Sequence, residues 1–273
     1  MRPIETVDDV LSNIKVIASV PLSQNRFTDD YIRYLMNRET DLKVYPALVR
    51  QNQEYISKAS ILLSDDEGFI DIPSDAYLST VISIIYKDTP LASVDREQFS
   101  LSKNGYIFQG DSIKTHYKNA ELIVTYVPIA RQYVDTSAQP EIITINTTLK
   151  RLTLNAPYAG NTLDIITPQG KIIRENVTKV NGSSNHQVVL DSIDGINVGD
   201  LIVKPFTTPF VNYTSMVVRY LERCVANCIL EESQDIEMFR VGKNSEAEML
   251  KILLDSLSSR GNKSAVRPQR RRF

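Results

Sequence analysis

Between Glu67 and Val127 a set of short apolar runs, each cut off by turn-forming residues, constrains this chain more than any other feature. Glu67-Gly68-Phe69-Ile70-Asp71-Ile72 alternates, placing Ile70 and Ile72 on one edge of a short strand, and Pro73-Ser74-Asp75 stops it because proline lacks a donor and Ser and Asp bond the local backbone. Thr80 to Tyr86 is β-branched and apolar enough for a buried strand, and Lys87-Asp88-Thr89-Pro90 closes it with a turn. Tyr106 to Thr115 reads as a hairpin turning at Gly110-Asp111, and Leu122 to Tyr126 as a further strand ended by Pro128. A small antiparallel β unit over residues 67–127 is the expectation.

Helices flank it. Thr6-Val7-Asp8-Asp9 is a capping box, after which Val10, Leu11, Ile14, Ile17 and Ala18 share one face until Pro21. Thr28 caps a second helix carrying Tyr31, Ile32, Leu35 and Met36 and ending near Thr40, and Pro46 opens a third with Leu48, Val49, Tyr55 and Ile56. Ala59 to Leu63 reads as a strand pairing with Gly68 to Ile72 across Ser64-Asp65-Asp66-Glu67. That acidic turn lacks the glycine and the spaced ligands of a calcium loop and reads as a solvated turn.

Beyond the polar linker Tyr133 to Pro140 the pattern becomes β. Strands are expected at Ile142–Ile145, Leu149–Leu154, Leu163–Ile166, Lys171–Val180, Gln187–Leu190 and Asp200–Lys204, the rhythm of a β-sandwich or small barrel. Helical periodicity then resumes. Thr214 to Glu232 carries Met216, Val217, Tyr220, Leu221, Val225, Cys228 and Ile229 on one stripe, and Glu246 to Leu257 carries Met249, Leu250, Leu253, Leu254 and Leu257. Neither helix can bury its stripe alone, so the two are expected to complete the bundle begun before residue 135. The fold class is then α+β: a discontinuous α-helical bundle body (1–135 and 213–259) with the small antiparallel β unit at 67–127 and an inserted β-sandwich-like domain at 140–212.

Apolar content of 42% and charged content of 23% are those of a globular chain and exclude a disordered one. No run approaches the roughly 18 apolar residues a membrane span needs, and Met1 to Thr6 has no apolar signal-peptide run. Synthesis and assembly in a cytoplasm are expected, without a membrane partner. Cys224 and Cys228, the only cysteines, lie four apart on one helix face without a neighbouring His, which favours core packing over a metal site. With no glycine-rich phosphate loop, no Gly-x-Ser-x-Gly elbow, no His-x-x-x-His spacing and only two histidines, the expectation is no enzyme, no cofactor, and no catalytic or metal-binding residue.

Charge is uneven. Six of the 31 basic residues (Arg260, Lys263, Arg267, Arg270, Arg271 and Arg272) and none of the 33 acidic ones follow Ser259, so a basic tail at 260–273 joins an acidic body. Gly261, Pro268 and the lack of apolar periodicity predict that the tail is extended. Its residues suit a solvated tail, a contact with DNA phosphates, or a docking peptide anchored by a terminal aromatic.

The order of strand, Ile72-Pro73-Ser74-Asp75, strand, polar connection, Tyr106-x-x-x-Gly110-Asp111-x-Ile113 and Leu122-Ile123-Val124-Thr125-Tyr126, with helices before and after, resembles the head-to-tail adaptors of short-tailed bacteriophages, also called tail tubular protein A or neck adaptors. The resemblance covers roughly Thr28 to Tyr133 and, more loosely, Thr214 to Leu257. It implies a structural virion protein of the neck, forming a homo-oligomeric, dodecameric ring below the portal protein, joining the capsid to the tail tube or nozzle protein and standing in the path of genome ejection. It further implies that the C-terminal segment reaches the portal, with Arg267, Arg270, Arg271, Arg272 and Phe273 as docking residues; transient contact with DNA in the channel is the other role for that tail. A different class remains open: a binding module whose inserted β-domain recognises a glycan or a protein.

Overall fold

The computed structural model describes residues 5–20, 26–51, 53–180 and 183–261. In chain order it starts with β1 (Glu5–Thr6), α1 (Val7–Ile17), α2 (Asp29–Glu39) and a π-helical turn, Thr40–Val44. Next come α3 (Tyr45–Gln51), a 3-10 turn (Gln53–Ile56), β2 (Lys58–Leu63), β3 (Phe69–Asp71), β4 (Ala76–Tyr86), β5 (Thr89–Ser93), α4 (Arg96–Phe99), β6 (Gly105–Gln109), β7 (Ser112–Thr115) and β8 (Glu121–Pro128). The remainder is β9 (Gln132–Tyr133), β10 (Ile142–Asn146), β11 (Arg151–Leu154), β12 (Thr162–Ile166), β13 (Ile172–Thr178), β14 (Gln187–Val189), β15 (Leu201–Val203), β16 (Thr207–Thr208), β17 (Phe210–Val211), α5 (Ser215–Glu232) and α6 (Ile236–Gly261). Helices and strands alternate in blocks and the sheets are mostly antiparallel, which makes the class α+β.

The backbone forms two compact units. The first takes the described residues up to Val44 together with Arg131–Leu253, and the second takes Tyr45–Ala130 with the described residues from Leu254. These divisions differ from the boundaries expected at 135, 140, 212 and 259: in the first unit, residues 140–212 cluster with the helices.

In the first unit α1 and α2 pack on α5. The capping box forms as the sequence predicts, Thr6 Oγ1 accepting from the Asp9 amide at 3.1 Å and Asp9 Oδ2 from the Thr6 amide at 3.2 Å. Val7, Val10, Leu11 and Ile14 are buried behind it. The stop expected at Pro21 lies outside the described residues. Thr28 caps α2 through its hydroxyl, and Ile32, Leu35 and Met36 are buried. α2 ends at Glu39 with Thr40 as its C-cap, where the sequence places it, but the chain does not leave helical structure there. It widens into the π-helical turn, which takes up one extra residue per turn. α5 is the central helix, with 12 of its 18 residues buried; Met216, read as part of its apolar stripe, is instead 38% exposed. α6 begins at Ile236, ten residues earlier than the Glu246 expected, and buries Leu253 and Leu257.

The β part of this unit follows the predicted strands closely. It makes two three-stranded sheets, ordered β10-β11-β14 and β13-β12-β15. Ile142, Leu152, Leu154 and Val188 from one and Leu163, Ile165 and Ile202 from the other fill a single core. Short pairings stitch this part to the rest of its unit. β17 pairs with β1, β16 runs parallel to β9, and the Val7 amide donates to the Pro209 carbonyl at 3.0 Å.

The second unit is built on one seven-stranded sheet of order β2-β8-β4-β5-β6-β7-β3. The expected pairing of Ala59–Leu63 with Gly68–Ile72 is a correction. The turn at Ser64 to Glu67 is present, with Gly68 at φ 90°, but β2 pairs with β8 (Ile61 opposite Ile123) and β3 with β7 (Ile70 opposite Ile113). A local turn made the hairpin look obvious; burial decided otherwise, because pairing with β8 places Leu62 against the core that holds Leu122, Val124 and Tyr126. The hairpins at the other turns match their residues. Gly110 has φ 63° at the first position of the two-residue loop between Gln109 and Ser112, and Lys87 and Asp88 both adopt positive φ, 43° and 65°, between Tyr86 and Thr89. That turn is tighter than the four residues expected, so Pro90 belongs to β5, opposite Ile85.

Candidate functional site

The residues expected to dock on a portal, Arg267, Arg270, Arg271, Arg272 and Phe273, lie outside the described residues. Arg260, expected to open an extended tail, is a correction: it lies in α6, which runs through it to Gly261, the last of the described residues.

Among the described residues the densest assembly of charge is buried in the first unit, and no single motif announced it. α2 supplies Arg38 and Glu39, the π-helical turn Lys43, α5 Cys224, Asn227 and Cys228, and α6 Gly242, Lys243 and Glu246. Glu39 is 3% exposed and Glu246 9%. Burying two carboxylates is costly unless each is paired and hydrogen-bonded. Arg38 meets that need at Glu39 Oε1, donating from Nε at 3.0 Å and Nη2 at 2.9 Å. Lys43 Nζ lies 2.7 Å from Glu39 Oε2, as an ion pair out of hydrogen-bonding alignment, and donates to Glu246 Oε1 at 3.1 Å. Asn227 Nδ2 (2.7 Å) and Lys243 Nζ (3.0 Å) donate to Glu246 Oε2.

The electrostatics follow from this geometry. Burial would raise the Glu246 carboxyl, but donors from Asn227, Lys243 and Lys43 outweigh it and hold the group below the usual carboxylate range. Burial would likewise lower Lys43, and the carboxylates of Glu39 and Glu246 instead hold it above the usual ammonium range. Both groups therefore stay charged across neutral pH. Each carboxylate carries a cation, and the pairs tie α2, α5 and α6 to one another.

The cysteines face this cluster from α5. Both are free and buried; burial, and next the negative charge of Glu246, push the Cys224 thiol up to about 12, while burial and then Glu39 push Cys228 to about 11. Such thiols are unreactive core groups, as the sequence reading had them. Among the described residues no group of three His, Cys, Asp or Glu could hold a metal ion, and no helix is long and apolar enough to cross a membrane. The acidic turn is accounted for by its own backbone, Asp65 Oδ1 accepting from Phe69 at 2.7 Å and from Glu67 at 2.9 Å, which lowers its carboxyl. His116 is occupied with the Phe99 carbonyl at 2.6 Å and stacks on the Phe99 ring.

A second buried ion pair anchors the β part. Arg131 reaches Asp164 Oδ2 at 2.6 Å and Glu175 Oε1 at 2.7 Å, and Asp164 Oδ1 accepts from the Asn176 amide at 2.6 Å. In the second unit the notable surface is apolar. Ile61, Ile123 and Ile85 stand in cross-strand register on β2, β8 and β4, with Ile61 69% exposed and Ile123 41% exposed, at the edge strand of the sheet. Contiguous apolar surface beside a sheet edge is the kind that assemblies cover.

Asn227 and its partners could have been found earlier. It interrupts an apolar stripe between two cysteines on the inward face, while Glu39/Lys43 and Lys243/Glu246 sit at helical ion-pair spacings. What sequence could not supply was that these pairs converge.

No protein-family profile matches the chain, and no curated protein matches it.

Proposed function

We propose that the chain is a structural virion protein, a head-to-tail adaptor that forms a ring below a portal and joins capsid to tail. The observation that carries the reading is the segment 58–128: the motifs that carry the resemblance make up one continuous sheet with its own apolar core, and helices that pack on one another precede and follow it in the chain. The finer architecture proposed with it is a discontinuous helical bundle that bears this β unit and a β-sandwich-like part at 140–212. Support for assembly comes from the exposed apolar row beside edge strand β2. The glycan-binding alternative draws no comparable support: of the Phe and Tyr rings described between Glu141 and Val211, only Phe206, at 37%, is exposed, where sugar stacking needs an open ring face.

The reading is tested on the purified chain by native mass spectrometry and negative-stain microscopy, with and without tail-less heads that carry a portal. Rings and head attachment are expected. A chain that stays monomeric at all concentrations and does not attach to heads overturns the adaptor reading. Removal of residues 262–273, which retains every described residue of α6, is expected to abolish attachment while the fold remains; attachment unchanged at the same salt would overturn the docking role of Arg267, Arg270, Arg271, Arg272 and Phe273.

A further inference from the structure

The π-helical turn Thr40–Val44 holds one residue more than an α-helical turn, and such a turn persists only where tertiary contacts favour it over regular helix. Here those contacts are specific. Thr40 and Val44, at its two ends, are 2% and 0% exposed, while Leu42, between them, is 68% exposed, so the additional residue is taken up on the solvent side. On the inner side Lys43 is the only side chain of the turn bound to charge, reaching back to Glu39 on α2 and across to Glu246 on α6. One turn upstream, Asn37 and Tyr133 bond each other twice, the Tyr133 amide donating to Asn37 Oδ1 at 2.6 Å and Asn37 Nδ2 to the Tyr133 carbonyl at 3.3 Å, which fastens β9 to α2. Thr40 Oγ1 lies 3.5 Å from the Tyr133 hydroxyl.

We propose that Lys43 pins the π-helical turn in place, and that when the pin is released the extra residue steps towards the N-terminus of α2 and opens the Asn37–Tyr133 clasp. The turn is then a coupling element: whatever engages Glu246 on α6 alters the hold of α2 on β9, through a one-residue shift in helical register. Release is local because neither carboxylate is orphaned by it. Glu39 keeps Arg38, and Glu246 keeps Lys243 and Asn227. The inference is independent of the adaptor reading, since it concerns only contacts inside the first unit.

Amide hydrogen exchange on the full chain tests it. In Lys43→Gln the amides of residues 38–44 and of Tyr133 should exchange about tenfold faster or more, while those of α1 and the centre of α5 keep their rates, because a local opening leaves global protection untouched. Deleting Leu42 removes the extra residue and should give a folded chain with ordinary helical protection through residues 29–50, in which adding Lys43→Gln no longer affects the Tyr133 amide. Equal acceleration in α1, α5 and the turn would reduce Lys43 to a general stabiliser and overturn the proposal. Unchanged exchange at 38–44, or a Leu42 deletion that does not fold, would overturn it as well.

Discussion

The two units solve the same problem of a unique interior by different means. Among the described residues the first unit buries Glu39, Asp164, Asp200, Glu222 and Glu246, each carboxylate reached by a cation or by a hydrogen-bond donor, along with Thr40, Thr208 and Asn227. Among its own described residues the second buries no charged side chain, and of polar ones only Ser64 and Thr115. Helices packed on helices can slide by a turn and still bury apolar surface, so directional polar pairs are a means of choosing one register. A sheet has no such freedom, because a one-residue slip would turn every inward side chain outward. Its register is chosen by the inward pattern and by the positive-φ turns at Lys87-Asp88 and Gly110. On the helices the buried carboxylates Glu39, Glu222 and Glu246 sit where geometry is otherwise permissive, whereas Asp164, buried on strand β12, holds Arg131 and the Asn176 amide against a sheet whose register is already set.

That contrast can be broken most forcefully in the second unit. Ile84 is fully buried opposite Val124, and Ile84→Asp places there a carboxylate with no partner, so a loss of about 4 kcal/mol in urea unfolding is expected. A much smaller loss would mean that this interior accepts charge as the first one does. In the first unit the test is steric as well as polar. A Cβ at Gly242 would lie 2.0 Å from Asn227 Oδ1, which has no hydrogen-bond partner. Gly242→Ala should cost about 2 kcal/mol, and a double-mutant cycle with Asn227→Ala should be strongly non-additive; additivity would show that the contact does not set the register of α6 on α5.

Buried charge is not uniformly favourable even there. Glu222 is pushed above the usual carboxylate range, chiefly by burial, although Asn13 donates to it at 2.9 Å. Because its folded value lies above the unfolded one, the ionised group opposes folding at neutral pH, and that penalty fades as pH falls through the folded value towards the ordinary one of about 4.3. Glu222→Gln should therefore raise stability at pH 7 by about 1 kcal/mol and change little at pH 4, as read by urea midpoints at the two pH values. The smallest effect is expected at the turn of the second unit. Asn-Gly in place of Lys87-Asp88 relieves two positive-φ positions and should add about 0.5–1 kcal/mol to its thermal stability.

Much of the local structure was legible in the residues themselves. The capping box at Thr6, the cap at Thr28 and the Gly110-Asp111 hairpin follow from contacts within a few residues, and the strands between Ile142 and Val203 and the helix from Ser215 to Glu232 from their apolar periodicity, which the sequence states directly. The reach of α6 back to Ile236 and the π-helical turn were not legible, since neither has a local signature strong enough to outweigh a neighbouring apolar pattern.

Of the candidate site, the sequence placed Cys224 and Cys228 on an inward face and showed the spacing of Glu39 with Lys43. It could not show that Lys43, Asn227 and Glu246, separated by as many as 203 residues, meet. What the sequence by itself determined was therefore the set of helices, strands and turns that short-range sterics and capping dictate. Which strand β2 would join, and which carboxylate would receive Lys43, only the tertiary structure decided, because those choices depend on apolar burial and charge pairing summed over residues far apart in the chain.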